Sequence, residues 1–432
     1  MTRSLMIAAP ASGVGKTTVT LALLRALRNR GVDVRGAKSG PDYIDPAFHE
    51  AATGAPSINL DAWASRPESL AARALSQGGD LTLVEAAMGL LDGAPDGSGS
   101  AADLAAALGA PVVMVVDAAK ASRSAALAAA GARALRPDLE IAGVILNRVG
   151  SSRHARIAAA GMEAAGIHVF GVVPRDAILA SPARHLGLVQ ARERPDLDGF
   201  IEAAARLVAR SVDVAAVAAA ARPLSAPNGA YAATPPLGQR IAVARDDAFA
   251  FVYPHHLADW RAEGAEITFF SPLADEGPDP GADAVFLPGG YPELHGERLA
   301  LAAKFRAGLA AQSKRALVYG ECGGYMALGE VLIDEEGRAH RMAGLLPLVT
   351  TFARRKLALG YRRLRPLGGP FADRMKGPLA GHEFHYARSE IEGAAPRLFG
   401  AWDADGERIG PIGLSAGNVC GSFAHVIGPH RL

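Results

Sequence analysis

Ala8-Ala9-Pro10-Ala11-Ser12-Gly13-Val14-Gly15-Lys16-Thr17-Thr18 joins an apolar, β-rich run, Leu5 to Ala9, to a helical run, Thr17 to Arg30. A Gly-rich loop between a strand and a helix lets backbone N–H groups face a phosphate, and the helix N-terminus adds positive potential. In that setting Lys16 reaches the outer phosphates and the Thr17 hydroxyl sits on Mg²⁺, which suits a nucleoside triphosphate better than a dinucleotide. Ser12, Gly13, Gly15, Lys16, Thr17 and Thr18 form the expected ATP-binding set. The loop is a variant of G-x-x-x-x-G-K-T, because Pro10 replaces its first glycine.

Outward from this loop, short β-rich runs alternate with Ala-rich helical runs, the pattern of a parallel sheet covered by helices. Strands are expected at Leu5 to Ala9, Val32 to Ala37, Leu81 to Ala86, Val112 to Val116, Ala142 to Leu146 and Val169 to Val173. Helices are expected at Thr17 to Arg30, Ser122 to Leu135 and Arg153 to Ala165. The strands lack an alternating polar face, as expected when both faces are buried. After the Ala-rich stretch Phe200 to Ala221, a Pro-, Gly- and small-residue segment without periodicity reads as a linker at 223–239. A second series follows, with strands at Arg240 to Ala244, Glu266 to Phe270, Ala284 to Leu287 and Ala316 to Tyr319, and shorter strands and turns beyond Arg341. The expected organisation is therefore α/β: a phosphate-loop domain over 1–222, the linker, and a second domain over 240–432.

The chain has 432 residues, half of them hydrophobic and 21% charged, with a formal net charge of +1. That balance fits a globular protein and gives no overall basic field to attract nucleic acid. No apolar run is long enough to span a bilayer, and the start lacks the apolar core of a signal peptide. Cys322 and Cys420 are the only cysteines, too few for a disulfide framework, so a reducing cytoplasm is the expected location.

Acidic residues follow two of the strands, in Gly40-Pro41-Asp42-Tyr43-Ile44-Asp45-Pro46 and in Val84-Glu85-Ala86-Ala87-Met88-Gly89-Leu90-Leu91-Asp92-Gly93. The carboxyl ends of neighbouring parallel strands share one crevice, so Asp42, Glu85 and Asp92 are expected near the phosphates. Mg²⁺ takes hard oxygen ligands, and Thr17, Glu85 and Asp42 are the expected set. For each aspartate taken alone, ordinary turn formation is the competing role.

In the second domain, Ala316-Leu317-Val318-Tyr319-Gly320-Glu321-Cys322-Gly323-Gly324-Tyr325-Met326 is an apolar strand running into a Gly-flanked cysteine and a helical run. This is a nucleophile elbow carrying sulfur, whose following helix N-terminus is expected to lower the thiol pKa. The Gly323 N–H, with Gly289-Gly290 after strand Ala284 to Leu287, is the expected oxyanion hole, Gly290 and Gly323 being its donors. Thiolate attack on an amide needs a base. His425, His382 and His385 all qualify by chemistry, and spacing does not choose among them. Cys420 reads as a small core residue, and no metal-ligand spacing appears.

The motifs together resemble the cobyrinic/hydrogenobyrinic acid a,c-diamide synthase family. Besides those quoted, they include Asn59-Leu60-Asp61, Leu287-Pro288-Gly289-Gly290-Tyr291-Pro292-Glu293, Leu359-Gly360-Tyr361, Gly381-His382-Glu383-Phe384-His385 and Gly421-Ser422-Phe423-Ala424-His425. The resemblance runs almost end to end. It implies a dethiobiotin-synthetase-like domain followed by a class I glutamine amidotransferase domain. It further implies Cys322 as nucleophile, His425 as its base, Asn147 near the adenine, and Asp42, Tyr43, Ile44, Glu85 and Asp92 lining the corrinoid carboxylate and phosphate site. The implied reaction amidates the a and c acetates through acyl phosphates, using ATP with Mg²⁺ and L-glutamine. Hydrogenobyrinic acid is the expected acceptor and cobyrinic acid the alternative; no nucleic-acid or membrane partner is expected, and a homodimer is compatible with the chain.

Two departures from the family pattern matter. Ala86 stands where many members carry glycine, and Ile427 stands where typical class I glutaminases have a glutamate two residues after the histidine. His425 must then be oriented by another group, for which a backbone carbonyl is the expectation. Rival readings are cobyric acid synthase, whose members usually run longer, and a phosphate-loop regulatory ATPase with an inactive glutaminase-like module. Against the latter stand the intact Cys322 and His425, and Ala11 where partitioning ATPases of the deviant class carry an extra lysine.

Overall fold

The computed structural model describes residues 2–179, 196–224, 229 and 231–430. The chain divides into two compact units, Met1–Tyr231 and Ala232–Leu432. In the first, strands β1 (Arg3–Ala8), β2 (Val34–Ser39), β3 (Ile58–Leu60), β4 (Leu81–Glu85), β5 (Val112–Asp117), β6 (Ile141–Val149) and β7 (Val169–Pro174) form a parallel sheet in the order β3-β2-β4-β1-β5-β6-β7. Alternate residues of a strand point to opposite faces. Thus Met6 and Ala8 enter one core with Val84, Met114 and Leu146, while Leu5 and Ile7 enter another with Leu83, Val115 and Ile145. Burial on both faces is why these strands read as continuous apolar runs.

Helix α1 (Lys16–Asn29) follows the phosphate loop, and α2 (Asp45–Thr53) follows β2. Neither α2 nor β3 was legible beforehand, because Gly40 to Pro46 carries turn-forming residues. Pro46 nevertheless sits in the first helical turn, where its missing N–H costs nothing, and Gly54 ends the helix in the left-handed region. The Ala-rich stretch forms two helices, Leu197–Ser211 and Val214–Ala219, the second capped by Asp213 through the Ala216 N–H (2.9 Å). Of the expected linker, residues 225–228 and 230 lie outside the described residues. Arg222–Pro223 forms β8 and pairs antiparallel with Ser4 and Arg3 of β1, whereas Thr234 and Leu237 are buried in the second unit.

The second unit is built on β9 (Arg240–Ala244), β10 (Glu266–Phe270), β11 (Ala284–Leu287) and β12 (Leu317–Glu321), which pair in parallel in the order β10-β9-β11-β12. The strand Val419–Ser422 extends this sheet beside β12, with Glu321 opposite Ser422. A separate antiparallel sheet contains Ala358–Pro366, Leu379–His385 and His425–Pro429. The chain leaves one sheet at Ser422 and enters the other at His425, which returns that histidine to the end of β12. Among the described residues, no helix is long and apolar enough to cross a membrane.

Candidate active sites

Glu85 ends β4 in register with Ile7 of β1 and Lys38 of β2, so the phosphate loop and the second strand meet at one carboxylate. Glu85 is fully buried and accepts from Thr17 Oγ1 (2.5 Å), Lys16 Nζ (3.2 Å) and Lys38 Nζ (3.2 Å), while His49 Nε2 lies 2.8 Å from its other oxygen. Burial alone would raise its pKa, but Lys38, Lys16 and His49 hold it well below the usual carboxylate range. Burial lowers the pKa of Lys16, which also donates to the Ala86 carbonyl. Burial opposes the charge on Lys38 too, yet Glu85, Asp45 and Asp42 outweigh it and raise its pKa; Asp45 Oδ2 is 2.5 Å from its Nζ. Asp45 itself is pushed up to about 6 by burial and by Asp42.

Asp42 and Asp92 make the bonds of turn formers. Asp42 Oδ1 accepts from the N–H groups of Ile44 (2.8 Å) and Asp45 (3.0 Å), and Asp92 Oδ2 from that of Gly89 (2.8 Å). Both stay near the crevice: Asp42 acts electrostatically on Lys38, and the Asp92 loop is tied to the phosphate loop through Leu90 N–H and Ala9 O (2.8 Å). Tyr43 and Ile44 are half-buried on the same segment, and Ser12 and Gly13 are exposed at the tip of the phosphate loop. Sequence reading missed Lys38, His49 and Asp45. A lysine inside an apolar strand was the available signal for the first.

Beside the loop lies a cavity of about 920 Å³ lined by Gly15, Thr18, Asp117, Asn147, Arg148, Arg175 and Asp176 among others. Asn147 donates from Nδ2 to Val14 O (2.8 Å), while its Oδ1 is buried without a protein partner. An amino group such as that of adenine would satisfy this acceptor. Gly15 is required here, since it has φ 89° and a Cβ would run into the Asn147 amide. Asp117 and Arg148, also missed in the sequence, pair across the cavity wall at 2.7 Å.

In the second unit Cys322 has φ 45° and ψ −102°, a sharp turn from β12 into the helix Gly323–Leu328. Its N–H donates to Ser422 O (2.8 Å). The expected lowering of the thiol pKa does not hold: burial, then the charge of Glu293, push it up, while the Gly323 N–H acts the other way. A six-residue helix offers too little dipole to reverse that desolvation. Gly289 is packed so closely that a Cβ would collide with the His425 ring, and Gly290 N is 3.0 Å from where a Gly323 Cβ would stand. Gly289, Gly290, Gly323 and His425 therefore share one neighbourhood with the elbow.

His425 Nδ1 is 3.6 Å from Glu321 Oε2, and both side chains are buried. A carboxylate thus faces the nitrogen for which a backbone carbonyl was expected. His382 stacks on His425 with ring centroids 5.0 Å apart, and its Nε2 is 2.9 Å from Tyr253 Oη. Burial, then His425, hold His382 well below the ordinary histidine pKa. His385 is likewise lowered by burial, and it stacks on Phe423 with Nδ1 3.0 Å from Ala387 O. Glu293, in the Gly289 to Glu293 loop, keeps a buried Oε2 without a hydrogen-bond partner and is pushed up to about 7 by burial.

Residues 5–189 match the CobQ/CobB/MinD/ParA nucleotide binding domain, and residues 240–431 match the CobB/CobQ-like glutamine amidotransferase domain. The chain is 56% identical to a hydrogenobyrinate a,c-diamide synthase of Rhizobium meliloti (strain 1021), over 98% of each chain. Proteins of the same name from Sinorhizobium sp and Brucella anthropi are 55% and 54% identical, again over 98% of each chain.

Proposed function

The chain belongs to the hydrogenobyrinate a,c-diamide synthase family, and from this we propose that it amidates the a and c acetate carboxylates of hydrogenobyrinic acid, using ATP and glutamine. The observation that carries the reading is the end-to-end match of one chain holding both a nucleotide-binding and a glutamine amidotransferase domain. Amidation is assigned to 1–222 and ammonia release to 240–432, with 223–239 between them. The compactness of the two units supports this division.

A carboxylate is a poor electrophile for ammonia, so an acetate oxygen attacks the γ-phosphorus and ADP departs, leaving an acyl phosphate. Ammonia then displaces phosphate. Lys16 exchanges its contacts with Glu85 and Ala86 O for the outer phosphates, and Lys38, held cationic among buried carboxylates, faces the charge that develops on transfer. Thr17 Oγ1 and Glu85 Oε1, 2.5 Å apart, are hard oxygen donors side by side and fit a nucleotide-bound Mg²⁺. When bound, that ion neutralises phosphate charge. Asp42, as a third ligand, would have to be reached by its second oxygen or through water. Gly15, Thr18 and Asn147 serve the nucleoside, while Tyr43, Ile44 and Asp92 border the acceptor.

In the other unit the Cys322 sulfur attacks the glutamine amide and His425 passes its proton to the departing ammonia. Water then hydrolyses the thioester, with Gly290 and Gly323 N–H groups on the oxyanion. We place the enzyme in the cytoplasm, as two free thiols, Cys322 and Cys420, suit a reducing compartment. A homodimer is the proposed assembly, which sedimentation tests.

The deciding experiment is Cys322→Ala assayed with glutamine and with ammonium. Glutamine-driven amidation should fall by roughly a thousand-fold or more while ammonium-driven amidation persists. Loss of both would overturn the two-site reading. Turnover of hydrogenobyrinic acid should exceed that of cobyrinic acid; the reverse ranking would overturn the choice of ring.

A further inference from the structure

We propose that Glu321, the residue immediately before the nucleophile, positions His425 and so replaces the glutamate missing two residues after that histidine. The proposal rests on the glutaminase reading of Cys322 and His425. Glu321 is fixed on one side: its Oε1 accepts from Tyr319 Oη (2.9 Å) and from the Val426 N–H (3.1 Å). Its remaining oxygen, Oε2, faces His425 Nδ1 at 3.6 Å, and both side chains are only 2% exposed. That separation is an ion-pair distance rather than a hydrogen bond, and catalytic contacts of this kind are often long before substrate arrives.

The backbone explains how a carboxylate from this position can do the work. Glu321 is the last residue of β12, paired with Ser422, and the chain re-enters a strand at His425 three residues later. The Val426 N–H bond ties the carboxylate to the strand that carries the histidine. In the usual arrangement a glutamate on the histidine's own strand reaches Nδ1; here that place is Ile427, which is buried apolar core. The carboxylate comes from the nucleophile's strand. One peptide unit then sets the spacing between the orienting group and Cys322, and movement of the elbow shifts the sulfur and the carboxylate together.

The chemical consequence is a defined tautomer. With Nδ1–H directed at Glu321 Oε2, Nε2 carries no hydrogen and takes the Cys322 proton, and the imidazolium so formed lies beside a carboxylate. His382, stacked on the other face and depressed in pKa by burial and by His425, cannot supply that stabilisation. Glu321 faces the imidazole at Nδ1, His382 stacks on its face, and His385 acts on it electrostatically.

The test is Glu321→Gln, which keeps an oxygen for Tyr319 and Val426 but presents an amide to Nδ1. Glutamine-dependent kcat should drop about a hundred- to ten-thousand-fold with little change in KM. Calorimetry, in which the unfolding step of the second unit must persist at its wild-type temperature, serves as the folding control. Glu321→Asp should restore part of the rate. The ¹⁵N shifts of His425 should change from an Nδ1-protonated to an Nε2-protonated pattern. Glutaminase activity within about threefold of wild type, an unchanged tautomer, or loss of ammonium-driven amidation as well would each overturn the proposal. Absence of glutaminase activity in the unaltered chain would instead defeat the underlying reading.

Discussion

Single residues decide how much of each site could be read in advance. Lys16, Thr17 and Cys322 announce themselves through local sequence context, whereas Lys38 and Glu321 acquire their partners only when distant strands align. Lys38 pairs with Glu85, and Glu321 reaches His425, each across more than 40 positions of chain. Lys38→Met should therefore lower amidation from glutamine and from ammonium alike by at least about a hundred-fold, because it removes a buried cation from the phosphoryl site. It should also destabilise the first unit by roughly 3 kcal/mol, since Asp45 loses its partner at 2.5 Å and Glu85 loses one of two lysines. Steady-state rates with each nitrogen source, beside denaturant unfolding, separate the two effects. Glu293 gives a pH signature. Its pKa rises on folding from 4.5 to about 7, so the folded state holds a proton that the unfolded state releases, and stability is lost as pH rises through that window. Glu293→Gln should match wild type below about pH 4.5 and exceed it by roughly 1–3 kcal/mol above pH 7. Equal stabilities at both pH values would show that the carboxylate is relieved by another group.

At the scale of elements, legibility followed burial. Strands covered on both faces are short apolar runs bounded by turns, and β9, β10 and β11 fall at the expected residues. Helix α2 was hidden because its first turn is written in turn-forming residues, and the nine-residue β6 extends to Val149, beyond the apolar run. Within the second unit the Gly289-Gly290 turn after β11 packs against the strand that begins at His425. No periodicity encodes that approach; only the glycines hint at it. Gly289→Ala would drive a methyl into the His425 ring. The displaced imidazole should cost glutaminase activity about a hundred-fold, the order expected for an ångström of misplacement, while ammonium-driven amidation survives. Retained glutaminase activity would mean that the loop yields instead.

For the whole molecule, the hydrophobic cores set the expectation. Among the described residues, each of the four core clusters lies wholly within one unit, two within Met1–Tyr231 and two within Ala232–Leu432. Cores that share no residues can melt separately, so calorimetry should resolve two unfolding steps. The assignment of each step follows from linkage. A non-hydrolysable ATP analogue at a hundred times its Kd stabilises only the unit that binds it, by about 2.7 kcal/mol. For a unit of this size that raises one transition by roughly 5–10 °C. Glu293→Gln at pH 8 should raise the other transition and leave the ATP-sensitive one in place. If ATP instead shifts both transitions equally, or one cooperative transition persists in every condition, the expectation that the two sets of cores melt separately is overturned.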